Sequence, residues 1–114
     1  MEMLVLADDL TGAIEVGALF AASSVPAMVA VEPWPDGAAV GAEVLAVDTQ
    51  SRHLAPDEAA GEVSRVAGKY LSEGVRYLYK KTDSTLRGNI GAELGAILAA
   101  CPGRSILYVP AYPK

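Results

Sequence analysis

The sequence predicts an α/β domain, a doubly wound three-layer sandwich on a mainly parallel five-stranded sheet. Three observations carry that expectation. Uninterrupted apolar runs of strand length recur along the chain, segments with apolar residues at helical spacing separate most of them, and polar residues crowd just past the ends of the runs. Strands covered on both faces read as continuous apolar runs, and their alternation with helices marks a parallel sheet.

Met3 to Ala7 is the first apolar run, bounded by Asp8 and Asp9. Thr11 to Ala22 has helical periodicity, with Ile14, Ala18, Phe20 and Ala21 expected to face inward. Ser23 to Pro26 breaks it, and Ala27 to Val31 is a second strand. Glu32 to Gly41, with Trp34 between two prolines, reads as a loop with one helical turn near its end. Val44 to Val47 is a third strand, ending in Asp48 and Thr49. Pro56-Asp57-Glu58 opens a helix, because proline suits the first helical position and carboxylates favour the positive end of the dipole. Its stripe is Ala59, Val63, Val66, Ala67 and Tyr70, and Gly74 follows its end near Leu71. Val75 to Tyr79 is a fourth strand. Asn89 to Ala100 is a third helix with Ile90, Leu94, Ile97 and Leu98 toward the core, stopped by Pro102-Gly103. Ser105 to Val109 is a fifth strand.

The chain has 114 residues, 52% of them apolar, with 9 basic against 14 acidic side chains and a net charge of −5. That suits one domain, residues 1–114, with a packed core. Such acidity argues against sequence-independent nucleic-acid binding, which needs many contacts from Lys and Arg to phosphate. The single Cys101 forms no internal disulfide, and with the single His53 it cannot build a zinc site; no metal site is expected. The longest uncharged stretch, Val16 to Val31, is shorter than the roughly 18–20 residues that span a bilayer. Met1-Glu2-Met3 lacks the basic start of a signal peptide. A cytoplasmic protein without nucleic-acid or membrane partners is expected, and a homo-oligomer is compatible with the sequence.

Ligands of open parallel sheets bind beyond the carboxyl ends of the strands. Three polar clusters stand there: Asp8 to Gly12, Asp48 to His53 and Lys80 to Asn89. Of the adjacent Asp8 and Asp9, one is expected to cap the first helix and the other to serve chemistry, with Asp9 the choice for the active one. Arg52 could grip a carboxylate or phosphate, although pairing with Asp48 or Asp57 is the plain structural alternative. In the third cluster Lys81, Ser84, Thr85 and Arg87 lie beside the start of a helix, with Gly88 allowing close backbone approach, which makes an anion site. No Gly-x-x-x-x-Gly-Lys-Ser/Thr or G-x-G-x-x-G spacing is present, so neither a P-loop nor a dinucleotide site is expected.

Leu6-Ala7-Asp8-Asp9-Leu10-Thr11-Gly12-Ala13 resembles the opening motif of the four-carbon acid sugar kinase family. Lys81-Thr82-Asp83-Ser84-Thr85-Leu86-Arg87-Gly88-Asn89-Ile90-Gly91 resembles its second motif, and Asp48-Thr49-Gln50-Ser51-Arg52 is similar to the segment between them. Glu15 and Thr82 are mild departures. The resemblance implies an ATP-dependent kinase, with Mg²⁺ arriving on the nucleotide, that phosphorylates threonate, erythronate or 3-oxo-tetronate at the terminal hydroxyl. It further implies that this chain is the N-terminal sugar-acid-binding domain and that a separate C-terminal nucleotide-binding domain is absent. Asp9 and Asp83 are then the expected catalytic residues. Asp8, Thr11, Gly12, Ser51, Arg52, Lys81, Ser84, Thr85, Arg87, Gly88 and Asn89 are the expected substrate-binding residues. One alternative is a response-regulator receiver domain, with Asp48 as phospho-acceptor among Asp8, Asp9, Thr82 and Lys114. Another is a stand-alone sugar-acid-binding module. The stop at Lys114 reads as a truncation, and the chain alone is expected to bind sugar acid weakly without kinase activity.

Overall fold

Four short apolar segments form the sheet. The computed structural model describes residues 1–31 and 41–110, in the order β1 (Met3–Ala7), α1 (Leu10–Ala22), β2 (Ala27–Val31), β3 (Val44–Asp48), α2 (Pro56–Ser72), β4 (Tyr77–Lys81) and α3 (Ile90–Ala100). All pairings are parallel in the order β2-β3-β1-β4, with Ala7 opposite both Asp48 and Lys81. The carboxyl ends of β1, β3 and β4 therefore finish level, and the residues after them share one edge.

Side-chain alternation divides the core in two. Leu4, Leu6, Leu45 and Val47 join Val63, Val66, Ala67 and Tyr70 of α2 and Ala96 and Ile97 of α3. Val5, Ala7, Val44 and Ala46 meet Ala13 and Val16 of α1 in the second cluster. This is the expected α/β fold with a parallel sheet, here of four strands.

Several expectations need correction. No fifth strand forms at Ser105–Val109 among the described residues; Leu107 and Val109 are 91% and 70% exposed. The segment runs beside β4 across a cleft of about 560 Å³ instead of entering its ladder, and Pro110 has no N–H to donate. β4 starts two residues later than expected, because Val75 is drawn into the core beneath α2 while its N–H bonds Tyr70 O. The inward face of α1 is Gly12, Ala13, Val16 and Gly17, not Ile14, Ala18 and Ala21, and Phe20 is half-buried. The glycines let the helix lie close on the sheet, which turns Leu10, Ile14 and Leu19 outward. On α3 the buried residues are Glu93, Ala96 and Ile97, and Leu98 is exposed along the uncovered cleft. The expected helical turn near Gly41 and the setting of Trp34 lie outside the described residues. The receiver alternative fails on strand order: that fold places β1 between β2 and β3, whereas here β3 separates β2 from β1. Lys114 lies outside the described residues.

The close seat of α1 gives a paired prediction. A Cβ at Gly17 would stand 2.7 Å from Val29 Cγ2, whereas one at Gly68, within α2, would meet nothing within 4 Å. Gly17→Ala is expected to lose roughly 1–2 kcal/mol by overpacking despite the helix-propensity gain, and Gly68→Ala to gain about 0.5–1 kcal/mol. Urea denaturation of both variants checks this, and equal gains would contradict the packing argument.

Candidate functional site at the carboxyl edge of the sheet

Asp8 and Asp9 follow β1 directly. Asp9 is the N-cap of α1, accepting from Gly12 N at 2.8 Å, so the capping role falls to the residue expected to be the active one. Its other oxygen, Oδ2, stands 3.0 Å from Arg52 Nη1. Asp8 is buried and takes Arg52 Nη2 at 3.0 Å and Nε at 3.3 Å, while Arg52 N donates to its carbonyl. Arg52 Nη2 also lies 3.5 Å from Asp83 Oδ1. One guanidinium thus ties the polar ends of β1, β3 and β4 together. These partners, the Asp8 hydrogen bond first, hold its proton still more firmly than usual.

Asp83 organises the loop after β4. Its carboxylate accepts from Arg87 Nε at 2.7 Å and Nη2 at 2.9 Å, from the Thr85 hydroxyl, and from the backbone N–H groups of Thr85 and Arg87. The Arg87 guanidinium foremost, then the Thr85 hydroxyl, hold the Asp83 carboxyl well below the ordinary carboxylate range. A depressed carboxylate contributes stability above its unfolded value of 3.8 and loses it as pH falls toward the folded value. Asp83 is therefore expected to remain ionised at about pH 3, and Arg87→Ala to raise its midpoint toward the ordinary range. A carboxyl-carbon NMR titration reads both, and an unmoved midpoint would show that Arg87 is not the cause.

Gly88, at φ +98°, closes the loop against Asp8. Leu86 and Gln50 also have positive φ, so both loops at this edge hold non-glycine residues in a sparsely populated conformation. Asp48 turns back to accept from Gln50 N at 2.8 Å, and burial raises its carboxyl above the ordinary value.

Above these groups opens a cleft of about 980 Å³, of the size that suits small organic ligands. Asp8, Asp9, Thr11, Gly12, Arg52, Lys81, Asp83, Ser84 and Arg87 all line it. Lys81 Nζ bonds Thr82 O and lies 3.8 Å from Glu15 Oε2. Arg87 remains 67% exposed. Other expected ligand contacts do not line the cleft. Ser51 is fully buried, Thr85 serves Asp83, and Asn89 Nδ2 donates to Ser51 O and Leu54 O, tying the β3 loop to the start of α3. Asn89 makes no side-chain cap to α3. His53 is exposed.

The sequence profile of the sugar-binding N-terminal domain family matches residues 3–114. The chain belongs to that family. It is 43% identical to a D-threonate kinase of Cupriavidus necator over 99% of its length, but covers 27% of that protein. It is 34% identical to a D-erythronate kinase of Heliobacterium modesticaldum, covering 97% of this chain and 26% of the relative. A crystal structure of a Bordetella bronchiseptica domain of unknown function, a domain-swapped dimer with bound citrate, superposes with a TM-score of 0.82. The identity there is 39%, covering 88% of this chain and 26% of that one. The chain thus spans about a quarter of the length of the relatives it matches. The α/β fold described above is shared with that structure, and no helix among the described residues is long and apolar enough to cross a membrane.

Two polar residues at this edge escaped the sequence reading as individual sites. Lys80 and Glu93 are 6% and 1% exposed, with Lys80 Nζ 3.6 Å from Glu93 Oε1. Burial pushes the Lys80 ammonium down and the Glu93 carboxyl up from their usual values. The signals were available: Lys80 sits opposite Leu6 in the ladder, and Glu93 lies one turn before Ile97 on the buried face of α3.

Proposed function

We propose that this chain is the sugar-acid-binding domain of an ATP-dependent four-carbon acid kinase, acting on threonate-, erythronate- or 3-oxo-tetronate-like substrates. The observation that carries the reading is one cleft lined by Arg52, Lys81 and Arg87 together with Asp8, Asp9 and Asp83. A sugar acid presents one carboxylate and several hydroxyls. Lys81 and Arg87, the more open cations, receive the carboxylate with Arg52 behind them, and Thr11, Ser84 and the Gly12 backbone line its path. Asp9 Oδ2 or Asp83 orients the terminal hydroxyl for transfer, Asp83 only by giving up one of the donors it now holds.

The relatives' names as kinases imply ATP and Mg²⁺ for the whole protein. The chain covers about a quarter of these kinases, and we assign the nucleotide to a C-terminal domain outside residues 1–114. This chain's own part is to bind the acid and orient its hydroxyl.

Calorimetric titration of the chain with D-threonate, D-erythronate and the neutral polyol threitol tests the reading. The acids are expected to bind weakly, threitol not at all, and Arg87→Ala to cost at least about tenfold in affinity, the scale of one charge-assisted contact. With ATP and Mg²⁺ added, no phosphorylated product is expected from this chain alone. Equal binding of threitol, or none of either acid, would refute the proposal.

A further inference from the structure

Glu93 is the most deeply buried carboxylate among the described residues, and it does not line the substrate cleft. Its Oε1 begins a file of four oxygens. Glu93 Oε1 lies 2.8 Å from Ser51 Oγ, Ser51 Oγ lies 2.7 Å from Thr49 Oγ1, and Thr49 Oγ1 lies 3.0 Å from Ala7 O. Every one of these gaps is at hydrogen-bond distance, so filling all of them takes three protons, beside the backbone N–H of Thr49 that also reaches Ala7 O at 2.9 Å. The two hydroxyls supply two, since each carries a single O–H. If Ser51 donates to an ionised Glu93 and Thr49 donates to Ala7 O, the buried contact between the hydroxyls has no proton. A proton on Glu93 completes the file: Glu93 donates to Ser51, Ser51 to Thr49, and Thr49 to Ala7 O.

The file ends at functional residues. Ala7 precedes Asp8, and Ser51 precedes Arg52, whose guanidinium spans Asp8, Asp9 and Asp83. Asn89, one turn before Glu93 on the same side of the site, holds Ser51 O and Leu54 O. The start of α3 therefore anchors the loop at two points. We infer that Glu93 is a positioning residue: with a proton on its carboxyl group it donates to Ser51, and so fixes the loop that delivers Arg52 to the three aspartates. This rests on the sugar-acid reading for its consequence in binding, though not for its geometry.

Burial and the nearby Asp8 favour the proton on Glu93, while the Lys80 ammonium opposes it. Lys80 of β4 is the cation facing it, and its ammonium also has the Lys81 carbonyl at 2.9 Å. Asp8 at the end of β1 opposes a second negative charge, and burial is the largest influence raising Glu93. From α2 come Val63, Val66 and Ala67, in one apolar cluster with Ala96 and Ile97 of α3.

The test compares Glu93→Gln, whose amide N–H can donate to Ser51, with Glu93→Ala, which removes the donor. Solvent exchange of the Arg52 Nε–H, read by NMR without ligand, reports on the clamp. A control, Val66→Ala, destabilises the same core without touching the file. Exchange in Glu93→Gln is expected within about twofold of the unsubstituted chain, and in Glu93→Ala at least about tenfold faster, the scale of one lost buried hydrogen bond. D-Threonate affinity is expected to follow the same order. Wild-type exchange in Glu93→Ala would overturn the positioning role, and so would equal acceleration in Val66→Ala. Acceleration in Glu93→Gln matching that in Glu93→Ala would overturn the protonated form. If the unsubstituted chain fails to bind D-threonate, the substrate assignment falls while the Arg52 exchange data still decide this inference.

Discussion

Replacing Arg52 with alanine is expected to destabilise the domain by roughly 3–5 kcal/mol, the range for removing one partner of a buried ion pair. An exposed salt bridge would be worth about 0–1 kcal/mol, so the setting decides the size. The Arg52 side chain is 12% exposed, and Asp8 and Asp83 are 5% and 8% exposed. Its loss strands the buried Asp8, while Asp83 keeps Arg87 and Thr85. Arg52→Lys should recover only part of the deficit, because an ammonium cannot reproduce a fork that reaches Asp8, Asp9 and Asp83 together. Urea denaturation measures this, and a change below about 1 kcal/mol at neutral pH would mean that solvent screens the cluster.

Gly88→Ala is expected to have the second large effect. The position has φ +98°, and an added Cβ would overlap Asp8 Oδ2. Asp8 has no room to yield, since both its carboxylate oxygens are engaged by Arg52. Backbone strain and overlap together should cost roughly 2–4 kcal/mol, and D-threonate affinity should fall at least about tenfold. Gly103→Ala separates the two causes. Its φ is +80°, but nothing lies within 4 Å of its added Cβ, so it should show the strain, about 1 kcal/mol, without the loss of affinity. Equal binding losses in both variants would remove the Asp8 contact as the reason.

Much of this architecture was legible from local chemistry. The buried β1 and β3 announced themselves as apolar runs, β2 and part of the less covered β4 likewise, and Pro56 with Asp57 and Glu58 marked the start of α2. The three polar clusters could be gathered at one edge because parallel strands end together. The inward face of α1 could not be read, because hydrophobic spacing favours Ile14, whereas fit against Val29 favours Gly17. Ser105 to Val109 has strand composition, but a strand needs a ladder partner, which composition does not report. Among the site residues, Asp9, Arg52, Lys81, Asp83 and Arg87 line one cleft. Ser51 and Asn89 look identical in sequence whether they face ligand or brace the wall behind it. Glu93 was hidden because an acid within an apolar helix reads as its solvent face.

The strand order also has a consequence in time. β1 leaves the ribosome before β3 and β4, yet Met3 pairs with Val44 on one side and Tyr77 on the other. Its apolar residues must wait through most of the described chain before both neighbours exist, and contacts this distant in sequence slow folding. The Arg52 clamp cannot close until Asp83 has followed β4. The cleft and the native sheet are therefore completed in the same late step. Any ligand that binds only the closed cleft would draw the folding equilibrium toward the finished domain.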